Sequence, residues 1–254
     1  MIISMAAITS CASGNSDKSI ADEPADILYL KATDALERGD FEEAVKYFSE
    51  VDRQHPYSQW AVRAELMEAY AHYQNMDYDS AIVALDNFIE MHPGNKDIGY
   101  AFYLRALSNY ERILDVKRDQ SYAKEAMRNL REVMDRFRGT EYAKDAALKL
   151  SLINDHLAGA EMEVGRYYLR QKQYLAAQGR FRAVIDNYQT TSHVPEALQR
   201  LVEIYLALGF TEEAKKSAAL LGYNFSGSDW YKDAYDLLKT NGVLMDQVLE
   251  KDKY

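Results

Sequence analysis

The residues in this 254-residue chain best suited to recognising another molecule are its 20 tyrosines and a set of arginines. A tyrosine ring offers broad apolar contact with a hydrogen-bonding tip at small entropic cost, and a guanidinium fork grips a carboxylate through two parallel bonds. Tyr29, Tyr70, Tyr73, Tyr100, Tyr103 and Tyr110 crowd the first half, with Arg63 and Arg105 among them. Arg166, Arg170, Arg180 and Arg182 follow in the second half. Residues for covalent chemistry are sparse. His55, His72, His92, His156 and His193 stand far apart with no ligand-spaced pair, and no GxSxG, P-loop, GxGxxG or HExxH occurs. No catalytic residue, metal site or cofactor is assigned. With 30 Lys+Arg against 40 Asp+Glu the net charge is −10, which argues against a phosphate-backbone binder, so no nucleic-acid partner is expected.

A different chemistry is written at the N-terminus. The single cysteine, Cys11, excludes an intrachain disulfide and follows Ile8-Thr9-Ser10, an aliphatic residue and two small ones. That tetrapeptide resembles a bacterial lipobox, whose cysteine becomes lipidated. Residues 1–10 are short, apolar and uncharged, and read as the end of a secretory signal peptide whose basic start would lie upstream. Residues 11–24 read as a small polar tether behind the lipidated cysteine. Palmitate-type chains at Cys11 would hold the protein on a membrane, each buried CH₂ adding about 0.8 kcal/mol. No apolar run approaches the roughly 20 residues of a spanning helix.

The elements that must position the tyrosines and arginines show as an internal repeat. Gly39-Asp40-Phe41-Glu42-Glu43-Ala44 recurs as Met76-Asp77-Tyr78-Asp79-Ser80-Ala81 and as Gly209-Phe210-Thr211-Glu212-Glu213-Ala214, and more loosely as Lys172-Gln173-Tyr174-Leu175-Ala176-Ala177. Ala126 is a fifth key alanine. Behind each alanine, apolar residues stand four and seven places on: Phe48 and Val51, Leu85 and Phe88, Leu130 and Val133, Phe181 and Val184, Ala218 and Leu221. That spacing is one face of a helix. Twelve places before the key, Ala32, Ala69 and Gly165 let a second helix approach closely, and Val202 fills the place in the last copy. Ala106 precedes Ala126 by 20, an insertion of eight residues around 114–120. Pro56 and Pro93 stop the second helix of the first two copies. Asp40 with Glu43 fits a capping box, and Ser58 and Thr140 fit N-caps. The stretch from Thr140 to about Gly159 reads as helix running on into Glu161–Gln171, one long helix with a soft point at Gly159. The many carboxylates are expected on solvated helix faces.

This pattern resembles the tetratricopeptide repeat. The expected fold is all-α, a right-handed superhelical solenoid of about five units over residues 25–222. Residues 223–254 would supply a C-terminal capping helix and tail, with Trp230, Tyr231, Ala234, Leu237 and Leu238 on one side of that helix. In such repeats the concave face takes positions −3, +1 and +4 around the first small residue. Tyr29, Tyr70, Tyr73, Tyr103 and Tyr110 fall there, with Tyr100 a turn earlier; Met162, Arg166 and Leu169, then Gln199, Glu203 and Leu206, take these places in units four and five. A tyrosine groove flanked by Arg63 and Arg105 is therefore expected in the first three units.

The flanking sequence is more specific. Pro56-Tyr57-Ser58-Gln59-Trp60, Ala69-Tyr70-Ala71-His72-Tyr73, Phe88-Ile89-Glu90-Met91-His92-Pro93 and Ile98-Gly99-Tyr100-Ala101-Phe102-Tyr103-Leu104-Arg105 resemble the BamD family. So do Val164-Gly165-Arg166-Tyr167-Tyr168 and Leu221-Gly222-Tyr223-Asn224-Phe225. The likeness covers about residues 25–240 in order. It implies a non-enzymatic lipoprotein on the periplasmic face of a Gram-negative outer membrane. Such proteins bind the barrel-forming subunit of the β-barrel assembly machinery through its periplasmic domains and contact a smaller lipoprotein. They receive unfolded outer-membrane protein clients that end in an aromatic residue and a carboxylate. By the same resemblance the second half, with Arg166, Arg170, Arg180 and Arg182, docks the barrel-forming subunit. The rival readings are a periplasmic repeat lipoprotein that organises cell-wall or division partners, and a soluble enzyme or chaperone cofactor without acylation.

Overall fold

The computed structural model describes residues 20–113, 115 and 117–243. The signal-peptide remnant 1–10, Cys11 with its tether up to residue 19, and the tail from residue 244 lie outside the described residues. The described chain is all-helical and divides into two compact units, one ending at Asn75 and one beginning at Met76.

The first unit holds α1 (Ala25–Glu37), α2 (Phe41–Gln54) and α3 (Ala61–Gln74), with α2 packed against both neighbours. The key-alanine face of α2 explains this. Ala44, Phe48 and Val51 are fully buried and share a core with Leu28, Ala32 and Ala35 of α1 and Ala64 and Ala71 of α3. The second unit runs α4 (Tyr78–Met91), α5 (Ile98–Tyr110), α6 (Ser121–Arg136), α7 (Glu141–Arg170), α8 (Tyr174–Asn187), α9 (Val194–Ala207), α10 (Thr211–Phe225) and α11 (Asp229–Thr240). From α4 to α10 each helix packs on the next, and α11 closes on α9 and α10 through Ala234 and Leu238. This sequential pairing is what helix-hairpin repeats require.

All five key alanines are fully buried, as are Ala32, Ala69, Ala106 and Val202. Gly165 shows why that position must be small: a Cβ there would lie 2.7 Å from Cε1 of the Phe181 ring. The 30-residue α7 spans two cores. Its first half packs with Phe102, Ala126, Leu130 and Val133, and its second half with Ala177, Phe181, Val202 and Ala218. It passes through Gly159, which is buried, without a break. The last boundary also differs from the expected one. α10 continues to Phe225, so residue 222 lies inside a helix and the division falls in the turn around residues 226–228.

In four of the repeats the turn between the two helices is fixed by one left-handed residue. Gly39 and Gly209 both have φ +80, and Met76 and Lys172 occupy the same place at φ 58 and 57. The Gly39 N–H donates to the Leu36 carbonyl at 3.1 Å and the Asp40 N–H to that of Ala35 at 2.9 Å, the two bonds that close a helix C-terminus of this kind. The expected capping box is absent. Asp40 sits at the N-cap of α2, but its side chain makes no cap hydrogen bond. Arg38 draws both carboxylates of the box away, reaching Glu43 at 2.8 Å and Asp40 at 3.4 Å. Thr140 does cap α7, accepting from the Ala143 N–H, and Asp77 caps α4 by accepting from Ser80. Pro56 and Pro93 each follow the histidine that ends a helix.

Candidate binding surfaces

In the first unit, Tyr29 of α1 meets Trp60, the residue just before α3. Ser58 Oγ accepts the backbone N–H groups of Trp60 at 3.3 Å and Ala61 at 3.1 Å, which fixes the chain's entry into the helix. The Tyr29 ring lies 4.9 Å from that of Trp60 and meets Phe48 edge-on at 5.4 Å. Arg63, almost one turn along, sets its guanidinium 6.0 Å from the Trp60 ring; it is exposed and has no ion pair among the described residues. Burial raises the pKa of the Tyr29 phenol, and the Arg63 charge pulls the other way. An aromatic floor beside an open cation suits a ligand that carries a ring and a carboxylate. Trp60 was not among the expected site residues, although it closes the Pro56–Trp60 motif. Tyr70 and Tyr73 are half-buried on the same helix.

α3 also contradicts the expectation of solvated carboxylates. Burial, reinforced by Asp52 and Glu65, raises the Glu68 carboxyl to about 7. The base beside it, His72, is 4.0 Å away and carries charge only when protonated.

In the second unit the α5 tyrosines are half-buried against α7. Tyr103 stacks on Tyr142 at 5.3 Å and donates its hydroxyl proton to Asp145 at 2.6 Å. Tyr100 reaches the same Tyr142 ring at 6.0 Å, and Lys149 stands over Tyr110 at 5.6 Å. Burial pushes the Asp145 carboxyl up, but the bonds from Lys149 and Tyr103 outweigh it and hold the group below its usual range. These three rings therefore do structural work as well as presenting an edge to solvent.

The arginines do not gather as their sequence suggests. Arg105 is two residues from Tyr103, hence on the opposite side of α5. It is pinned to Asp86 at 2.8 Å and Glu132 at 2.7 Å and does not flank the tyrosines. Arg166 is bound by Glu163 at 2.6 Å and Glu196 at 2.9 Å, and Arg180 by Glu161 at 3.0 Å. Arg170 and Arg182 are exposed without an ion pair among the described residues. Arg180 and Arg182 point to opposite sides of α8, so the four do not make one patch. Met162 and Gln199, expected on the concave face, are buried.

The histidine before Pro56 has a structural partner: a ring nitrogen of His55 is 2.7 Å from the Glu23 carbonyl oxygen. No cluster of metal-ligating side chains occurs among the described residues, and no described helix is long and apolar enough to cross a membrane.

Comparison with known proteins places this architecture. The family of the outer membrane lipoprotein YfiO matches residues 21–220. The outer membrane protein assembly factor BamD of Caulobacter vibrioides is 48% identical, over 91% of this chain and 81% of its own. That of Rickettsia prowazekii is 43% identical over 85% and 86%, and that of Neisseria meningitidis 31% over 90% and 91%. Among solved structures, the TPR2AB domain of yeast Sti1 aligns at 13% identity and a TM-score of 0.48, over 85% of this chain and 84% of that one. With paired helices keyed on buried alanines and these relatives along nearly its whole length, the chain belongs to the BamD family of outer membrane protein assembly factors.

Proposed function

We propose that this chain works in outer-membrane protein assembly as a non-catalytic lipoprotein scaffold that receives unfolded β-barrel clients on its first unit. The observation that carries the proposal is the open Arg63 guanidinium on the Trp60–Tyr29 pair, an aromatic floor with an unclaimed cation. A client that ends in an aromatic residue would lay its ring on that floor and give its terminal carboxylate to Arg63. Tyr70 and Tyr73 would extend the contact along α3. The second unit would dock the periplasmic domains of the barrel-forming subunit through Arg170 and Arg182, whose charges are free to pair. A smaller lipoprotein partner and acylation of Cys11, holding the chain on the periplasmic face of the outer membrane, complete this reading.

The test is binding of a labelled peptide that ends in phenylalanine with a free carboxylate. Arg63→Ala is expected to weaken it about tenfold, near 1.4 kcal/mol. Amidation of the peptide should cost the wild type the same and the variant nothing further. Equal binding of the free and amidated peptides by the wild type would rule out Arg63 as the carboxylate partner.

A further inference from the structure

We infer that the first half of α7 is a second docking face, built for an amphipathic helix of a partner protein with apolar side chains and basic flanks. This goes beyond the client reading, since it needs neither Arg63 nor a terminal carboxylate.

Residues 141–159 are the part of α7 that a minimal helix pair does not need. One side of this stretch is spent on the core: Ala146, Leu150, Ile153 and Leu157 are buried. The neighbouring side is left in water. Leu148 is 61% exposed and Leu152, one turn on, is 52% exposed. Beside Leu152 opens a cleft of about 520 Å³, whose other walls include Tyr110, Ile113, Ile153 and His156. Two isobutyl groups one turn apart, next to a cleft with Tyr110, Ile113 and Ile153 among its walls, form a ridge and a hole, the relief into which a second helix packs.

Charge selects the occupant. The carboxylates of the cleft are Glu111 and Asp115, and neither has an ion pair among the described residues. Among the described residues the Asp115 carboxylate accepts the backbone N–H of Lys117 at 2.9 Å and no side-chain donor. Burial lowers the pKa of His156 against the pull of Asp115, so its ring adds no cation near neutral pH. Lys149, which stands over the Tyr110 wall of the cleft at 5.6 Å, is neutralised by Asp145 at 2.8 Å. The face is therefore apolar and negative, and its complement is a helix with Lys or Arg beside its leucines. A second copy of this chain, with net charge −10, and an anionic lipid surface are both repelled by it.

The probe is a synthetic helical peptide of about 14 residues, acetylated and amidated, with leucines at i, i+3, i+4 and i+7 and lysine flanks. Binding to the full chain is read by fluorescence anisotropy. Leu148→Ser with Leu152→Ser is expected to weaken binding roughly tenfold while leaving the melting curve in place, because both side chains are already solvated. Leu175→Ser, at a still more exposed leucine on α8, should leave binding unchanged. Glu111→Lys with Asp115→Lys should lower affinity for the lysine-flanked peptide and raise it for a glutamate-flanked one. Equal binding by the leucine pair and the wild type overturns the proposal, as does equal affinity of the wild type for both peptides. It is also overturned if the leucine pair abolishes self-association in sedimentation or binding to anionic vesicles, for the face would then belong to a second copy or to lipid.

Discussion

In the first unit Glu68 is withdrawn from water beside Asp52 and Glu65, while Arg63 stands in solvent on the Trp60 ring. In the second, Glu196 is withdrawn further, with 14% of its side chain exposed, yet Arg166 grips it at 2.9 Å and Arg200 at 3.5 Å. Both units have the same helix-pair construction and similar charged residues. The difference lies in whether the carboxylate and the cation were brought together. Where they meet, each satisfies the other and neither is available to a ligand. Where they are kept apart, the acid has, among the described residues, only the base His72 beside it, at 4.0 Å, and the cation stays open. A binding surface needs the second arrangement, and its cost falls on local stability.

Glu68→Gln probes that cost and carries the largest expected effect. The carboxyl, ordinarily near 4.5, titrates at about 7 in the fold, so the folded state holds a proton that the unfolded chain releases. Its stability contribution is intact below about 4.5, is lost as pH rises towards about 7, and stays lost above. The Gln variant should be roughly 2–3 kcal/mol more stable than wild type at pH 8, with the gain falling below about 1 kcal/mol at pH 5. Denaturant titrations at the two pH values measure this, and a pH-independent difference would remove Glu68 from the comparison.

The contrast between the two arginines is the next test. Arg166→Ala leaves Glu163 unpaired and Glu196 with Arg200 alone, at 3.5 Å, and should cost about 1–3 kcal/mol, read as a shift in denaturation midpoint. Arg63→Ala removes only an exposed cation above a ring and should change stability by less than about 0.5 kcal/mol. Similar costs for the two would break the comparison.

The smallest effect sharpens the turn geometry shared by both units. Met76 and Lys172 hold the left-handed place that Gly39 and Gly209 fill elsewhere. Lys172→Gly should relieve strain of about 1 kcal/mol, partly offset by the greater freedom of glycine in the unfolded chain. A net gain of up to about 0.5–1 kcal/mol in thermal melts is expected. A loss would show that the Lys172 side chain, and not its backbone, matters there.

The core was legible because it is periodic. Ala44, Ala81, Ala126, Ala177 and Ala214 and the apolar residues behind them share a spacing that only a helix places on one face, and all of them are buried. The eight-residue insertion and the long α7 could be read as departures from that spacing. Side-chain partnerships across helices could not. Asp40 and Glu43 have capping-box spacing, but Arg38 lies within reach of both and charge–charge attraction outcompetes the cap. Arg105 looked like a groove residue because it neighbours Tyr103 in sequence, yet the helical rotation turns it to Asp86 of α4 and Glu132 of α6.

The sequence by itself determined the helices, their pairing and the residues buried between them, since these follow from local periodicity and from small residues where two helices touch. Only the tertiary structure decided which charges are free. Glu132 stands 27 residues from the arginine it holds and Glu196 stands 30 from its own, and no local pattern encodes such a meeting. Coulombic pairing depends on distance through space, and packing sets that distance.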